Sequence, residues 1–171
     1  IVAASGVSTV LLHSVWANFD GERGRRRLLA GSGLAPFSPQ AEALLKASVE
    51  RTVAALAATG VRVVVVGAVP MAKKNVPATL ARARLSGRPV DIALAPAEAA
   101  ARNRTATAIF DDLAARGLIT HATPFAALCG SERCRVETSG RPLYADAYHL
   151  NLAGADLVAA AVWPSLGLDR R

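Results

Sequence analysis

Residues 61–67 read VRVVVVG, a nearly uninterrupted β-branched run that directly follows Gly60. β-Branched side chains favour strands, and a strand that is apolar on both faces is typical of a parallel sheet covered by helices. Glycine is common just after the last turn of a helix, so the chain before Gly60 is expected to be helical. The run therefore predicts a buried parallel strand that is entered from a helix.

The segments on either side alternate between strand and helix. Ser38-Pro39 is a helix start, because serine caps the first turn and proline suits its first position. The predicted strands cover 7–15, 61–67 and 118–122, with an extended piece at 143–145; the predicted helices cover 39–59, 78–85, 96–116 and 151–164. This order predicts an α/β protein, a three-layer α/β/α sandwich with a parallel sheet of flavodoxin-like type.

Folds of this kind place their active sites at the carboxyl ends of the parallel strands. The loops that contain Trp16, Pro70 and residues 146–149 are all expected to emerge at that edge of the sheet. The sequence thus predicts a site built from three separate loops.

The composition describes a globular chain of 171 residues, with 52% hydrophobic and 19% charged residues. It has no apolar run of eighteen residues, as a membrane-spanning helix would need. The net charge is +7, and four arginines, Arg23, Arg25, Arg26 and Arg27, lie close together. Aromatic residues make up only 5%, which argues against a nucleic-acid partner. A solvated basic loop is the favoured interpretation, with contact to an anionic glycan or lipid head group as the alternative.

Two cysteines, Cys129 and Cys134, have four residues between them. A small disulfide clip is the favoured interpretation, followed by two free thiols and then by a metal site, which would need closer pairs and nearby ligands. A disulfide would indicate an oxidising compartment such as the periplasm.

Residues 142–155 read PLYADAYHLNLAGA and place Asp146 three positions before His149, just ahead of an apolar helix capped by Asn151. A histidine can remove the proton of a nucleophilic hydroxyl, and a carboxylate can fix its tautomer and stabilise the imidazolium. The alternative is a surface aspartate beside a histidine at a helix start. The spacing alone does not separate the two.

The wider context resembles the last motif block of the SGNH (GDSL-like) hydrolases, in which Asp and His stand three apart before the final helix. It is most similar to the SGNH domain fused to the C-terminus of bacterial membrane O-acyltransferases of acyltransferase family three, which modify surface polysaccharides. The segments that carry the resemblance are Thr9-Val10-Leu11-Leu12 running into Trp16, residues 61–70, Leu128-Cys129 with Cys134, Pro142-Leu143-Tyr144, Asp146, His149-Leu150 and Gly154-Ala155.

The resemblance implies O-acyl transfer, with acetyl as the expected group, to a cell-envelope polysaccharide such as lipopolysaccharide. It implies a Ser-His-Asp mechanism with His149 as base and Asp146 as its orienting carboxylate, and no cofactor or metal. The implied partners are an acyl donor, a cell-surface glycan acceptor and a fused N-terminal membrane acyltransferase domain. That domain would tether the chain to the inner membrane on its periplasmic side.

The sequence departs from the family in two places. Asn151 stands where the family usually has serine, and either residue caps a helix. The Gly-Asp-Ser block that holds the nucleophile is absent; in the family it precedes the segment matched by residues 1–19. Residues 1–171 are therefore expected to be a single SGNH-like domain cut at its N-terminus, with the nucleophilic serine lying upstream.

Other residues are weaker candidates for the site. Trp16 and Asn18 follow the first strand, where the family's oxyanion-hole contributors tend to lie, and an Asn side chain can donate to an oxyanion. Packing for Trp16 and a loop cap for Asn18 are the alternatives. Tyr144 and Tyr148 flank the Asp–His pair and are candidates for packing or for walls of the acceptor site rather than for catalysts. Ser14 and Ser32 are poor substitutes for the nucleophile, since Ser32 lies in a Gly-Ser-Gly loop.

Two other functions remain open at this stage. One is a stand-alone esterase that removes acyl groups from carbohydrates or lipids, with water as the acceptor. The other is a non-catalytic glycan-binding module in which the Asp–His pair is a relic.

Overall fold

The structure is a computed structural model that describes residues 6–16, 32–35 and 38–167. The chain divides into two compact units. We call them the sheet unit (described residues 6–16, 32–35, 38–68 and 103–122) and the dyad unit (described residues 69–102 and 123–167). Asn18 and the predicted arginine-rich loop lie outside the described residues. In the described part, no helix has the length and apolar character needed to cross a membrane.

The sheet unit contains three parallel strands in the order β1-β2-β3: β1 Thr9–His13, β2 Arg62–Val66 and β3 Thr120–Ala122. The central strand β2 is buried from Val63 to Val66, as its β-branched run predicts. Among the described residues, β1 pairs with β2 alone, and Leu11 at its middle is 48% exposed. The α/β class and the parallel sheet are thus confirmed.

Two long helices supply the apolar residues that pack with this sheet. α1 is Pro39–Ala57, and its N-cap Ser38 accepts a hydrogen bond of 3.1 Å from the N–H of Ala41. The second long helix, α3, is Pro96–Ala115, and its residues from 103 onward belong to the sheet unit. The shorter helix between them in sequence, α2 (Val76–Ser86), belongs to the dyad unit. The buried core comprises Leu45, Val53, Val61, Val63, Val65, Ala106, Ile109, Phe110, Leu113 and Ile119.

The dyad unit contains α2, a short helix α4 (Phe125–Leu128), a two-stranded antiparallel hairpin and the last helix, α5 (Leu152–Leu166). The hairpin pairs β4 (Glu137–Thr138) with β5 (Arg141–Pro142). Its turn residues Ser139 and Gly140 have positive φ angles of 48° and 74°, which suit a tight hairpin turn. The sequence did not predict α4 or the hairpin, because such short segments show no periodicity.

The predicted disulfide clip is confirmed by a bond between Cys129 and Cys134. The same two residues form an isolated antiparallel bridge. The N–H of Cys134 donates to the carbonyl of Leu94 at 2.9 Å, and both half-cystines pack with Leu94 and Ala99. The clip therefore joins the chain after α4 to the segment that leads into α3.

Some predicted boundaries were wrong. The first strand is Thr9–His13 rather than 7–15. α2 begins earlier than residue 78, because the Asn75 side chain caps it by accepting from the N–H of Ala78 at 3.0 Å. α5 does not end at Pro164, since proline in the last turn removes only one helical hydrogen bond; it continues to Leu166 and ends where Gly167 adopts a left-handed conformation.

Candidate active site

The chain from Tyr144 to Leu150 folds into a closed loop immediately before α5. Tyr144 and Leu150 form an isolated antiparallel bridge, and the N–H of Ala145 donates to the carbonyl of His149 at 2.8 Å. Closing the backbone in this way brings the side chains of Asp146 and His149 together. Local backbone pairing, rather than helical spacing, creates the Asp146–His149 pair.

The Asp146 carboxylate is fully engaged by this loop. Its Oδ2 lies 2.6 Å from Nδ1 of His149, while its Oδ1 accepts from the N–H groups of Tyr148 and His149, each at 2.8 Å. An ionised carboxylate only accepts hydrogen bonds, so Nδ1 carries the ring hydrogen and Nε2 is left with its lone pair. This arrangement leaves Nε2 able to accept a proton, and the side chain of His149 is 62% exposed.

These contacts also determine the charge of Asp146. Partial burial raises the pKa of its carboxyl, but the backbone N–H groups of His149 and Tyr148 and the ring of His149 more than compensate and lower it to about 2. Asp146 is thus held ionised throughout the neutral range. A permanent anion beside Nδ1 stabilises the imidazolium that forms when Nε2 takes a proton.

The lowered pKa of Asp146 predicts an acid-dependent stability. Since the pKa is lower in the folded state than its ordinary 3.8, the ionised pair stabilises the fold above about pH 4, and this stabilisation is lost as the pH falls towards about 2. In urea unfolding at a series of pH values, the Asp146→Asn variant should lack this component. The control is Asp156→Asn, at an exposed carboxylate of α5. Parallel curves for wild type and Asp146→Asn would contradict the assignment.

The loop is fixed from one side by the segment of residues 70–76, which follows β2. The N–H of Ala72 donates to the carbonyl of Ala147 at 2.7 Å, and the N–H of Val76 donates to the carbonyl of Asp146 at 3.0 Å. The hydroxyl of Tyr144 donates to the carbonyl of Pro70 at 2.6 Å. The expected association of the Pro70 loop with the Asp–His loop is therefore present within the dyad unit.

The first turn of α5 fixes the loop from the other side. Asn151 Oδ1 accepts from the N–H of Gly154 at 3.0 Å, as expected of an N-cap. Its Nδ2 donates to the carbonyl of Pro142 at 2.7 Å, and its backbone N–H donates to the carbonyl of Leu143 at 3.0 Å. Sequence reasoning found the cap but missed the two contacts that tie it to the chain entering the loop.

The two tyrosines of the loop have different environments. Tyr144, a predicted wall of the acceptor site, is 1% exposed; burial raises the pKa of its hydroxyl, which is already bonded to Pro70. Its place in the structure is that of a buried support for the loop, not of a surface for substrate. Tyr148 is partly exposed, with its ring centroid 4.3 Å from that of His149 and the planes inclined at 48°.

The remaining predicted residue within the described part, Trp16, belongs to the sheet unit. Its Nε1 donates to the carbonyl of Val66 at 3.0 Å, and its ring meets Phe110 edge-on at a centroid distance of 4.9 Å. It also lines an apolar cavity of about 170 Å³, together with Leu12 and α1 residues. Its indole N–H is therefore engaged by the backbone at the end of β2. These contacts match a packing role, which was the alternative to a role in the oxyanion hole.

A second Asp–His pair, which the sequence analysis missed, lies in the sheet unit. Nδ1 of His121 on β3 is 2.9 Å from Oδ1 of Asp111 on α3. Unlike His149, His121 is only 9% exposed, and its Nε2 is buried with no hydrogen-bond partner among the described residues. Because a buried Nε2 is closed to solvent, this pair lacks the open geometry of a general base.

An α/β fold with a closed Asp–His loop ahead of its last helix defines a domain of the SGNH class. The family model described as SGNH domain (fused to AT3 domains) matches residues 1–164, and the chain belongs to this family. Among curated proteins, none matches the chain significantly.

A solved structure with a similar fold is the periplasmic domain of a lipopolysaccharide acetyltransferase from Salmonella ser. Paratyphi A. The TM-score is 0.60 and the sequence identity 14%, over 96% of this chain and 59% of that one. This chain thus spans about three fifths of its neighbour, and the likeness supports the predicted fold.

Proposed function

We propose that this domain takes part in O-acetyl transfer to a cell-envelope polysaccharide, with His149 as general base and Asp146 as its orienting carboxylate. The observation that carries the proposal is the 2.6 Å contact between Asp146 and Nδ1 of His149, which leaves Nε2 as the acceptor on an exposed ring. The family supports the chemistry, since SGNH domains of this kind are fused to AT3 domains.

The reaction divides into two proton transfers at Nε2 of His149. In the first, Nε2 takes the proton of a serine hydroxyl as its oxygen attacks the acyl carbonyl; the imidazolium then protonates the leaving group of the donor. In the second, Nε2 takes the proton of a sugar hydroxyl that attacks the acyl-serine, and returns it to the serine oxygen. The products are the sugar ester and the free serine.

The nucleophile in this proposal is the serine of a Gly-Asp-Ser block outside the present sequence. Within the described residues, no serine hydroxyl hydrogen-bonds the ring of His149, whose polar partner is Asp146. We therefore also propose that the natural protein is longer. Residues 1–171 would form one SGNH-like domain in it, and the segment upstream would supply the serine.

We further propose that the domain faces the periplasm, tethered to the inner membrane by a fused acyltransferase domain that brings the acyl donor. The family description names such a fusion. The disulfide between Cys129 and Cys134 fits an oxidising compartment, and the solved neighbour is itself a periplasmic domain.

A hydrolytic function is the second candidate, because the 62% exposure of His149 leaves Nε2 open to water as an alternative acceptor. In that case the same two proton transfers would release a free carboxylic acid, and the domain would act as an esterase on acylated carbohydrates or lipids.

Partition of the acyl group tests the proposal. The full-length protein is given an aryl acetate as donor and an oligosaccharide as acceptor, and both acetylated saccharide and free acetate are quantified. Transfer predicts acetylated saccharide that rises with acceptor concentration at the expense of acetate. Acetate alone, at every acceptor concentration, would support the esterase. If neither acetylated saccharide nor acetate is formed, the Asp146–His149 pair has no catalytic role.

A further inference from the structure

Two adjacent lysines lie on the segment that holds the Asp–His loop in place. Lys73 and Lys74 are both exposed and occupy a bend between Ala72 and Val76, whose N–H groups donate to the carbonyls of Ala147 and Asp146. The N–H of Lys73 adds a third contact, to the carbonyl of Ile92 at 3.0 Å. The backbone that presents the two ammonium groups is therefore bonded to the same loop that presents His149.

Neither ammonium group has a partner within the dyad unit. Among the described residues, no ion pair or side-chain hydrogen bond involves Lys73 or Lys74, whereas some arginines of the unit form ion pairs. These pairs are Arg84 with Glu137, Arg102 with Glu98 and Arg133 with Asp91. The two lysines are thus available to an anion that approaches from solvent.

The nearby carboxylate does not compete for them. Asp146 already accepts three hydrogen bonds within its loop, and among the described residues no ion pair joins it to either lysine. Two unpaired cations on one bend attract an anion over roughly a Debye length, about 8 Å at physiological salt. Because the backbone of this bend is bonded to the loop of His149 at Ala147 and Asp146, an anionic saccharide that binds at the loop would approach the two lysines as well.

We propose that Lys73 and Lys74 form an anion subsite that selects acceptor saccharides bearing a carboxylate or phosphate group. The proposal rests on the function proposed above and names the acceptor class for the same site. The subsite acts by electrostatic attraction and takes no part in the proton transfers at His149. Its contribution appears in binding of the acceptor and not in turnover of a neutral ester.

Direct binding tests this subsite separately from catalysis. Full-length protein is titrated calorimetrically with trigalacturonate, with neutral galactotriose and with glucose 6-phosphate. The wild type is expected to favour the anionic probes over galactotriose, and the double variant Lys73→Gln/Lys74→Gln to weaken their binding about tenfold, since each exposed charge contributes a modest amount. A loss confined to trigalacturonate identifies a carboxylate acceptor, and a loss confined to glucose 6-phosphate identifies a phosphorylated one.

The matched control is Arg82→Gln/Arg88→Gln, which removes the same charge from two exposed residues of the dyad unit away from the bend. It should bind all three probes as the wild type does. Equal weakening in both double variants, or a wild type with no preference for anionic probes, would overturn the subsite. Turnover of an aryl acetate should be unchanged in the Arg82→Gln/Arg88→Gln control. A wild type without that activity would count against the catalytic proposal and not against the subsite.

Discussion

Replacing His149 with alanine is expected to lower the turnover of an aryl acetate by roughly 10²–10⁴-fold, the usual contribution of acid–base help. In the proposed mechanism Nε2 of His149 takes the proton from the nucleophile, and Asp146 cannot replace it as base while its carboxylate accepts three hydrogen bonds within the loop. The loss should appear in kcat, because a small neutral ester makes few contacts with the ring.

The same variant should remain folded. The His149 side chain is 62% exposed, so truncating it removes little buried surface. Its backbone carbonyl, which closes the loop by accepting from Ala145, is unchanged in alanine. Circular dichroism and the midpoint of thermal unfolding, measured on the same preparation as the kinetics, separate loss of chemistry from loss of structure.

The second Asp–His pair supplies a matched control for the orienting carboxylate. Asp146→Asn should reduce turnover strongly, because an amide can donate to Nδ1 and so leave the hydrogen on Nε2, where a base needs a lone pair. Asp111→Asn makes the same change beside His121, whose Nε2 is buried, and should leave turnover unchanged. Equal losses in both variants, or an active His149→Ala, would remove the Asp146–His149 pair from the mechanism.

The parts of the fold that the sequence predicted are those set by local rules. The four valines at 63–66 are apolar and β-branched because β2 lies in the middle of the sheet, where residues on both faces are buried. Ser38 and Asn151 were recognisable as caps because their side chains satisfy N–H groups only three positions away. Such contacts leave a signal within a few neighbouring residues.

What the sequence did not predict depends on residues that meet through tertiary structure. Asp111 and His121 lie on a helix and a strand, and nothing in their spacing of ten marks them as partners. Tyr144 lies two positions before Asp146 in sequence, as a residue of the site could. Its hydroxyl, however, is bonded to the carbonyl of Pro70, 74 positions earlier. The Asp146–His149 pair was predictable because the loop that closes it is itself local.

Replacing Gly154 with alanine is expected to destabilise the fold by about 3 kcal/mol, the upper end of the usual range for overpacking. Gly154 lies in the first turn of α5, where its N–H binds the Asn151 side chain and its α-carbon faces the chain that enters the loop. A β-carbon there would overlap the carbonyl oxygen of Leu143 and lie 3.0 Å from Leu150 Cδ2. The obstacle is backbone, so no side-chain rotation relieves it.

The consequence should extend to catalysis, because Leu143 and Leu150 flank the loop that carries Asp146 and His149. To admit the methyl group, α5 must move away from Leu143, which breaks the hydrogen bond from the Asn151 N–H and loosens the loop. Gly154→Ala should therefore lower both the free energy of unfolding in urea and the turnover of an aryl acetate.

Gly130→Ala is the matched control for this effect. A β-carbon at Gly130 would meet the carbonyl oxygen of Arg133 at 3.9 Å, an ordinary van der Waals distance, so unfolding should change by less than about 0.5 kcal/mol. If Gly154→Ala unfolds at the same urea concentration as Gly130→Ala, the first turn of α5 does not need its close approach to Leu143. The position of His149 would then depend on the loop's own backbone bridge and on the contacts of residues 70–76.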